Sequence, residues 1–255
     1  MSRRLKKACY YCGIKATSLE HAPPRQFFKG FPCDSITVPS CDKHNTKKSG
    51  NDQAIVSAFL IALRNGSERW PLEPEIKDAI TRALPSFERA KRKAVDMPLI
   101  SDPPGYIADF PNVSHIAPSA SIRSWVRQLT AALVYNAANE YEPSMVWDTA
   151  IAWSPNLVES DDASPMQFSQ VVSALTKKEE TKESLDSLEW VNGWSVHPRS
   201  YPPFIYTFDI HIGPGEVIFR HWFYKRFLWY VWFNAEPDFI AKLLERVSRS
   251  GGLGK

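Results

Sequence analysis

The 255 residues predict an α+β protein in two parts, and three observations carry that expectation. Two half-sites of metal-ligating side chains, Cys9-x-x-Cys12 and Cys41-x-x-His44, frame the first 45 residues. The middle of the chain carries apolar residues at helical spacing. The last third turns β-branched and aromatic, with Gly213-Pro214-Gly215 between two such runs. The expected parts are a small zinc-stapled module over residues 1–66 and an α+β domain over 67–255. The second part is helical first and closes in an antiparallel sheet.

The zinc expectation rests on donor chemistry. Zinc takes four thiolate or imidazole ligands in a tetrahedron. Two intervening residues let both donors of a knuckle face one point, and a second knuckle closes the site from a distance. Disulfides or plain burial are the alternative use of these cysteines. The opening MSRRLKKA leads into no apolar run, and four cysteines without an export signal point to reduced or metal-bound thiols. Cys33 follows Pro32 and has no paired ligand, so it reads as an unligated thiol, although it could replace His44.

Beyond the second knuckle, Ala54 to Leu63 is rich in apolar residues at helical spacing, ended by Asn65-Gly66. A further helix is expected from about Glu73 to Asp96, kinked or split at Pro85. Five prolines between Pro98 and Pro118 mark an extended connector, with a short strand near Tyr106 to Phe110. The clearest helix follows. Ser119 or Ser121 can cap it, and Ile122, Trp125, Val126, Leu129, Ala132, Leu133 and Asn136 trace one face. Met166 to Thr176 is a short helix, and the charged run Lys177 to Glu183 a solvated end or loop. Phe204 to Ile212 and Val217 to Phe233 are hairpin-linked strands, the second long enough for two strands or one bent one. Alternation puts Arg220, Trp222 and Tyr224 on one side, with His221, Phe223 and Lys225 on the other. Such a sheet can stack bases, or be half-buried under the Trp125 helix.

Charge is distributed unevenly. Ten of the 31 Lys and Arg but only three of the 28 Asp and Glu fall in residues 1–50. A basic segment of that kind is the footprint of phosphate contact; a merely solvated basic terminus is the plain alternative. No apolar run reaches the roughly 20 residues a membrane span requires, since Arg220, His221, Lys225 and Arg226 interrupt the best candidate, Phe219 to Phe233. A soluble, cytoplasmic protein is expected.

Between the two half-sites stands an acid–histidine pair, Glu20-His21, and Asn45 follows the last ligand directly, with Lys47 just beyond. In that order the residues resemble the HNH, or ββα-metal, endonuclease family, over about the first 55 residues. The resemblance implies a metal-dependent endonuclease hydrolysing phosphodiester bonds, in DNA rather than RNA, in the setting of restriction or phage defence. His21 would be the general base, its imidazole suited to that task near pH 7. Glu20 and Asn45 would hold one divalent cation, magnesium or manganese, through oxygen atoms. Arg25, Lys47 and Lys48 are the expected phosphate contacts. Two departures stand out. Glu20 replaces the usual Asp, and the asparagine that fixes the base has no clear counterpart. Asp34 or Ser35 is nearest, and Asp34 would also raise the pKa of His21. The rival expectation is a nucleic-acid-binding module with a dead site; a third is an interaction protein with a purely structural knuckle. The remainder, 67–255, would select substrate, regulate, or form a homodimer.

Overall fold

The structure is a computed structural model. It describes residues 7–29, 31–46, 48, 49, 52, 53, 55, 56, 59, 60, 74–78, 80, 81, 105, 106, 114, 115, 120–139, 141, 142, 145–148, 191, 192, 201, 202, 205–213, 216–224 and 227–249. The chain is mixed helix and sheet and divides into two compact units. The first is Met1–Leu99, Ser119–Pro143 and Arg199–Ile205; the second is Ile100–Pro118, Ser144–Pro198 and Tyr206–Lys255. The first unit contains all of residues 1–66 and draws in the clearest helix of the sequence.

In the first unit, strands β1 (Ser18–Ala22) and β2 (Ile36–Ser40) pair antiparallel, His21 opposite Thr37 and Glu20 opposite Val38. Side chains alternate across a strand, and burial follows that alternation except at Pro39, which is buried on the outward side. Glu20, Ala22, Ile36, Val38 and Ser40 turn inward, while Leu19 and Thr37 face out. A 3-10 turn, Arg25–Phe28, leaves β1 and drives Phe27 and Phe28 into the core. Beyond the second knuckle Ser49, Asp52, Gln53, Ile55, Val56, Phe59 and Leu60 are helical, with the apolar members buried.

Helix α1 (Ala120–Ala138) packs on this hairpin, and its Trp125 ring meets Phe27 and Phe59 at centroid distances of 5.6 and 6.5 Å. Its Trp125, Val126, Leu129, Ala132 and Leu133 are buried as the periodicity predicts, but Asn136 is exposed. Ala131, Val134, Tyr135 and Ala138 are buried as well, so the helix is covered on a wider arc than one stripe. It ends at Asn139, which adopts φ 58° and donates its N–H to the Tyr135 carbonyl at 2.6 Å, a left-handed cap that asparagine tolerates. Of the two expected N-caps, Ser121 lies inside the first turn and Ser119 is outside the described residues.

Tyr201 locks the far end of the hairpin. Its hydroxyl donates to the Ala22 carbonyl at 2.5 Å and accepts the Ile36 N–H at 3.1 Å, and its ring stacks on Phe28. Tyr201→Phe leaves both backbone groups buried and unpaired, so we expect it to cost about 2 kcal/mol. A lowered urea midpoint at unchanged slope checks this; a midpoint equal to wild type would rule it out.

The second unit is built on a five-stranded antiparallel sheet of order β5-β9-β8-β7-β6, formed by Val146–Asp148 (β5), Val191–Asn192 (β6), Tyr206–Gly213 (β7), Glu216–Phe223 (β8) and Phe227–Asn234 (β9). Two short strands, Gly105–Tyr106 (β3) and Ser114–His115 (β4), pair apart from it. The long aromatic run is therefore two strands, turned at Tyr224, which is buried at φ 53° and so leaves the expected alternation. Tyr206, Phe208, Phe219, His221 and Phe223 stack on one another within the sheet and are buried, which takes those rings out of reach of nucleic-acid bases. Burial pulls His221 down to about 3, and the Tyr206 hydroxyl stands 2.9 Å from its Nδ1. On the other side Arg220 donates from Nε and Nη2 to one Asp209 oxygen. Helix α2 (Pro237–Arg249) buries Phe239, Ile240 and Leu243.

Residues 166–176 and 177–183 lie outside the described residues, as does most of the helix expected over 73–96, where residues 74–78, 80 and 81 are helical. Among the described residues no helix is long and apolar enough to cross a membrane.

Candidate metal centre

The first knuckle is a tight turn closed by backbone bonds. Cys9 N–H donates to Ile14 O at 2.6 Å, Gly13 N–H to Cys9 O at 3.0 Å, and Ala8 bridges Lys15. Gly13 sits at φ 71°, and a Cβ there would fall within 2.6 Å of the Tyr141 ring, so only glycine fits. Tyr10 N–H donates to Pro39 O at 2.9 Å, which pins this turn to the end of β2. The second knuckle leaves β2 at once. Asp42–His44 form a 3-10 turn in which the N–H groups of His44 and Asn45 both reach the Cys41 carbonyl.

These two turns bring Cys9, Cys12, Cys41 and His44 together, with all four ligand atoms within 4.8 Å of one another. Tetrahedral zinc, with bonds of about 2.3 Å to sulfur and 2.0 Å to nitrogen, spaces sulfurs about 3.8 Å apart and sulfur from nitrogen about 3.5 Å. The structure gives 3.8 Å for Cys12 Sγ–Cys41 Sγ, 3.3 Å for Cys41 Sγ–His44 Nδ1 and 3.7 Å for Cys9 Sγ–His44 Nδ1. A disulfide needs about 2.05 Å. Cys33 lies elsewhere, its sulfur 3.1 Å from Ser35 Oγ, so His44 and not Cys33 completes the group.

The electrostatics also suit a cation. Burial pushes the Cys9 thiol up, but the backbone N–H groups of Tyr11, Cys41 and Cys12 outweigh it and hold the thiol below its ordinary value. Cys12 is pushed up to about 11 by burial and by the neighbouring Cys9. One thiolate thus forms readily and resists the next, a repulsion that a bound dication removes. Burial, with Lys43 and Lys48, holds His44 below its ordinary value and so keeps the imidazole neutral, the form that ligates. The edge of the Tyr11 ring packs on it at 4.8 Å.

The acid–histidine pair divides across β1. Glu20 points inward, where Oε1 accepts from the Lys48 ammonium and Oε2 from Ser40 Oγ at 3.3 Å. Lys48 reaches Asp52 as well, at 3.6 Å, and Asp52 accepts the Trp125 indole N–H at 2.8 Å. Burial raises both carboxyl groups, with the Lys48 charge opposing it. Lys48, expected on phosphate, is therefore a buried ion-pair partner. The four-residue spacing of Lys48 and Asp52 is the sequence signal that could have found that half of the network.

His21 takes the outward direction. It is half-buried, and its Nδ1 is itself buried, with no hydrogen-bond partner among the described residues. Burial first, then the Arg25 charge, lowers its pKa below the ordinary 6.5. This corrects the expectation for Asp34, which neither bonds that nitrogen nor raises the imidazole. Asn45 stands at the edge of β1, donating from Nδ2 to Ser18 Oγ at 2.8 Å and to the Leu19 carbonyl at 2.9 Å. Its carboxamide oxygen is what it can offer a cation. Arg25 is exposed, and Lys47 lies outside the described residues.

No protein-family model, no curated protein and no solved structure matches the chain.

Proposed function

We propose that the N-terminal unit hydrolyses phosphodiester bonds in nucleic acid, DNA before RNA, with His21 as the general base of an HNH-like site. The observation that carries this reading is the state of His21. It is a half-exposed imidazole on the outer face of the hairpin, neutral near pH 7, whose Nδ1 is buried without a partner among the described residues and whose Nε2 is the nitrogen left to face a water. Such a group can take a proton from water as the water oxygen bonds to phosphorus and the 3′ ester bond breaks, the departing 3′ oxygen taking a proton from solvent. Arg25, close enough to depress His21, supplies a positive charge for the phosphate. The zinc tetrad holds the two turns in place and takes no part in the reaction.

A magnesium or manganese site built on Glu20 and Asn45 does not fit these residues. Glu20 is committed to Lys48 and Ser40 on the inner face, while His21 faces out. The same ion pair favours a second reading, a zinc-stabilised module that binds nucleic acid without cutting it.

Supercoiled plasmid separates the two. Zinc-loaded protein, in metal-depleted buffer or with magnesium or manganese added, is run beside His21→Ala. Nicking that disappears in the variant supports hydrolysis. Salt-dependent DNA binding with no nicking under any condition leaves the binding module, and no binding at about 50 mM salt removes both.

A further inference from the structure

The inner face of the hairpin holds a charge cluster that the hydrolytic reading does not use. Glu20, Lys48 and Asp52 are 5%, 8% and 7% exposed. They come from β1 and from the helical segment after the second knuckle, and Trp125 of α1 closes the cluster through Asp52. Tyr10, 1% exposed, lies beside Glu20, and burial together with that carboxylate raises its phenol well above the ordinary value. Two buried carboxylates face one point, with a serine hydroxyl and a phenol beside Glu20, and such hard oxygen donors are the kind that take magnesium or manganese. What stands at that point is an ammonium group.

We propose that Lys48 is the resident cation of this face: its ammonium fills the position between Glu20 and Asp52 that a divalent ion would take, and closes it to metal. The inference rests on the HNH-like reading only in asking where a second metal would go. Three structural consequences follow. Glu20 serves to fasten β1 to the following helix, and Asp52 carries the link on to α1. Any divalent cation used at the outer face is bound without Glu20. Removal of the ammonium leaves two buried carboxylates facing each other, a vacated site whose repulsion a dication relieves.

The test is thermal unfolding of the zinc-loaded full chain with and without manganese. Wild type should show no manganese-dependent rise in Tm that Glu20→Gln removes. Lys48→Ala should unfold roughly 10 °C lower and recover most of that loss in millimolar manganese, and adding Glu20→Gln should abolish the recovery. A wild-type Tm that climbs with manganese, and stops doing so in Glu20→Gln, would make Glu20 a metal ligand and overturn the proposal. So would a folded Lys48→Ala that manganese leaves unchanged. Should Lys48→Ala not fold, wild type against Glu20→Gln still decides the matter. Plasmid cleavage is scored separately: an uncut plasmid ends the hydrolytic reading and leaves this one standing.

Discussion

Removing the metal is expected to unfold the N-terminal unit, with the largest loss of stability of any change considered for this chain. Structural zinc contributes apparent binding free energies of about 10–16 kcal/mol near pH 7, as large as the whole stability of an ordinary domain, about 5–15 kcal/mol. The geometry says why so much hangs on it here. The first knuckle touches β2 through the Tyr10–Pro39 hydrogen bond, and the second continues β2 directly into the helical segment that carries Lys48 and Asp52. Without the ion, three thiols and an imidazole crowded within 4.8 Å have nothing to hold them together. Chelation, Cys41→Ser, or acidification that protonates the thiolates should each collapse the near-ultraviolet circular dichroism of the packed Phe27, Phe59 and Trp125 cluster. Zinc content should read one ion per chain in wild type and in Cys33→Ser, and none in Cys41→Ser. A chelated protein that keeps its near-ultraviolet spectrum would show the tetrad to be dispensable.

That tetrad was legible because a Cys-x-x-Cys or Cys-x-x-His turn is a local device, whose donors converge by chain geometry alone. Trp125, Leu129 and Leu133 were legible for a similar reason, since helical periodicity is also local. The Glu20–Lys48 pair was not, because its members lie 28 residues apart in sequence and only the folded hairpin brings them together. Asn136 failed because a helix covered from several sides has no single buried stripe. The acid–histidine pair teaches something different. Adjacent residues on a strand point to opposite faces, so the sequence already held the reason why Glu20 and His21 would separate. Neighbours along a strand are not neighbours in space.

That separation sharpens the second large effect. His21→Ala should lower plasmid cleavage by about 10²–10⁴-fold, the usual contribution of a general base, while Tm and DNA affinity stay at wild-type values. The fold should tolerate the change because the side chain is half-exposed and its buried Nδ1 has no hydrogen bond to lose among the described residues. Glu20→Gln, by contrast, should be felt in stability, since it weakens the buried bond to Lys48. The acidity of His21 gives an independent readout. Burial and Arg25 hold the imidazole below 6.5, so cleavage should be undiminished at pH 7 and should fall only as the pH drops through a value below 6.5, where the base becomes protonated. Removing Arg25 takes away a charge that opposes protonation, so Arg25→Ala should move that acid limb upward, toward 6.5. A pH–rate profile indifferent to Arg25, or cleavage that survives His21→Ala, would remove His21 from the reaction.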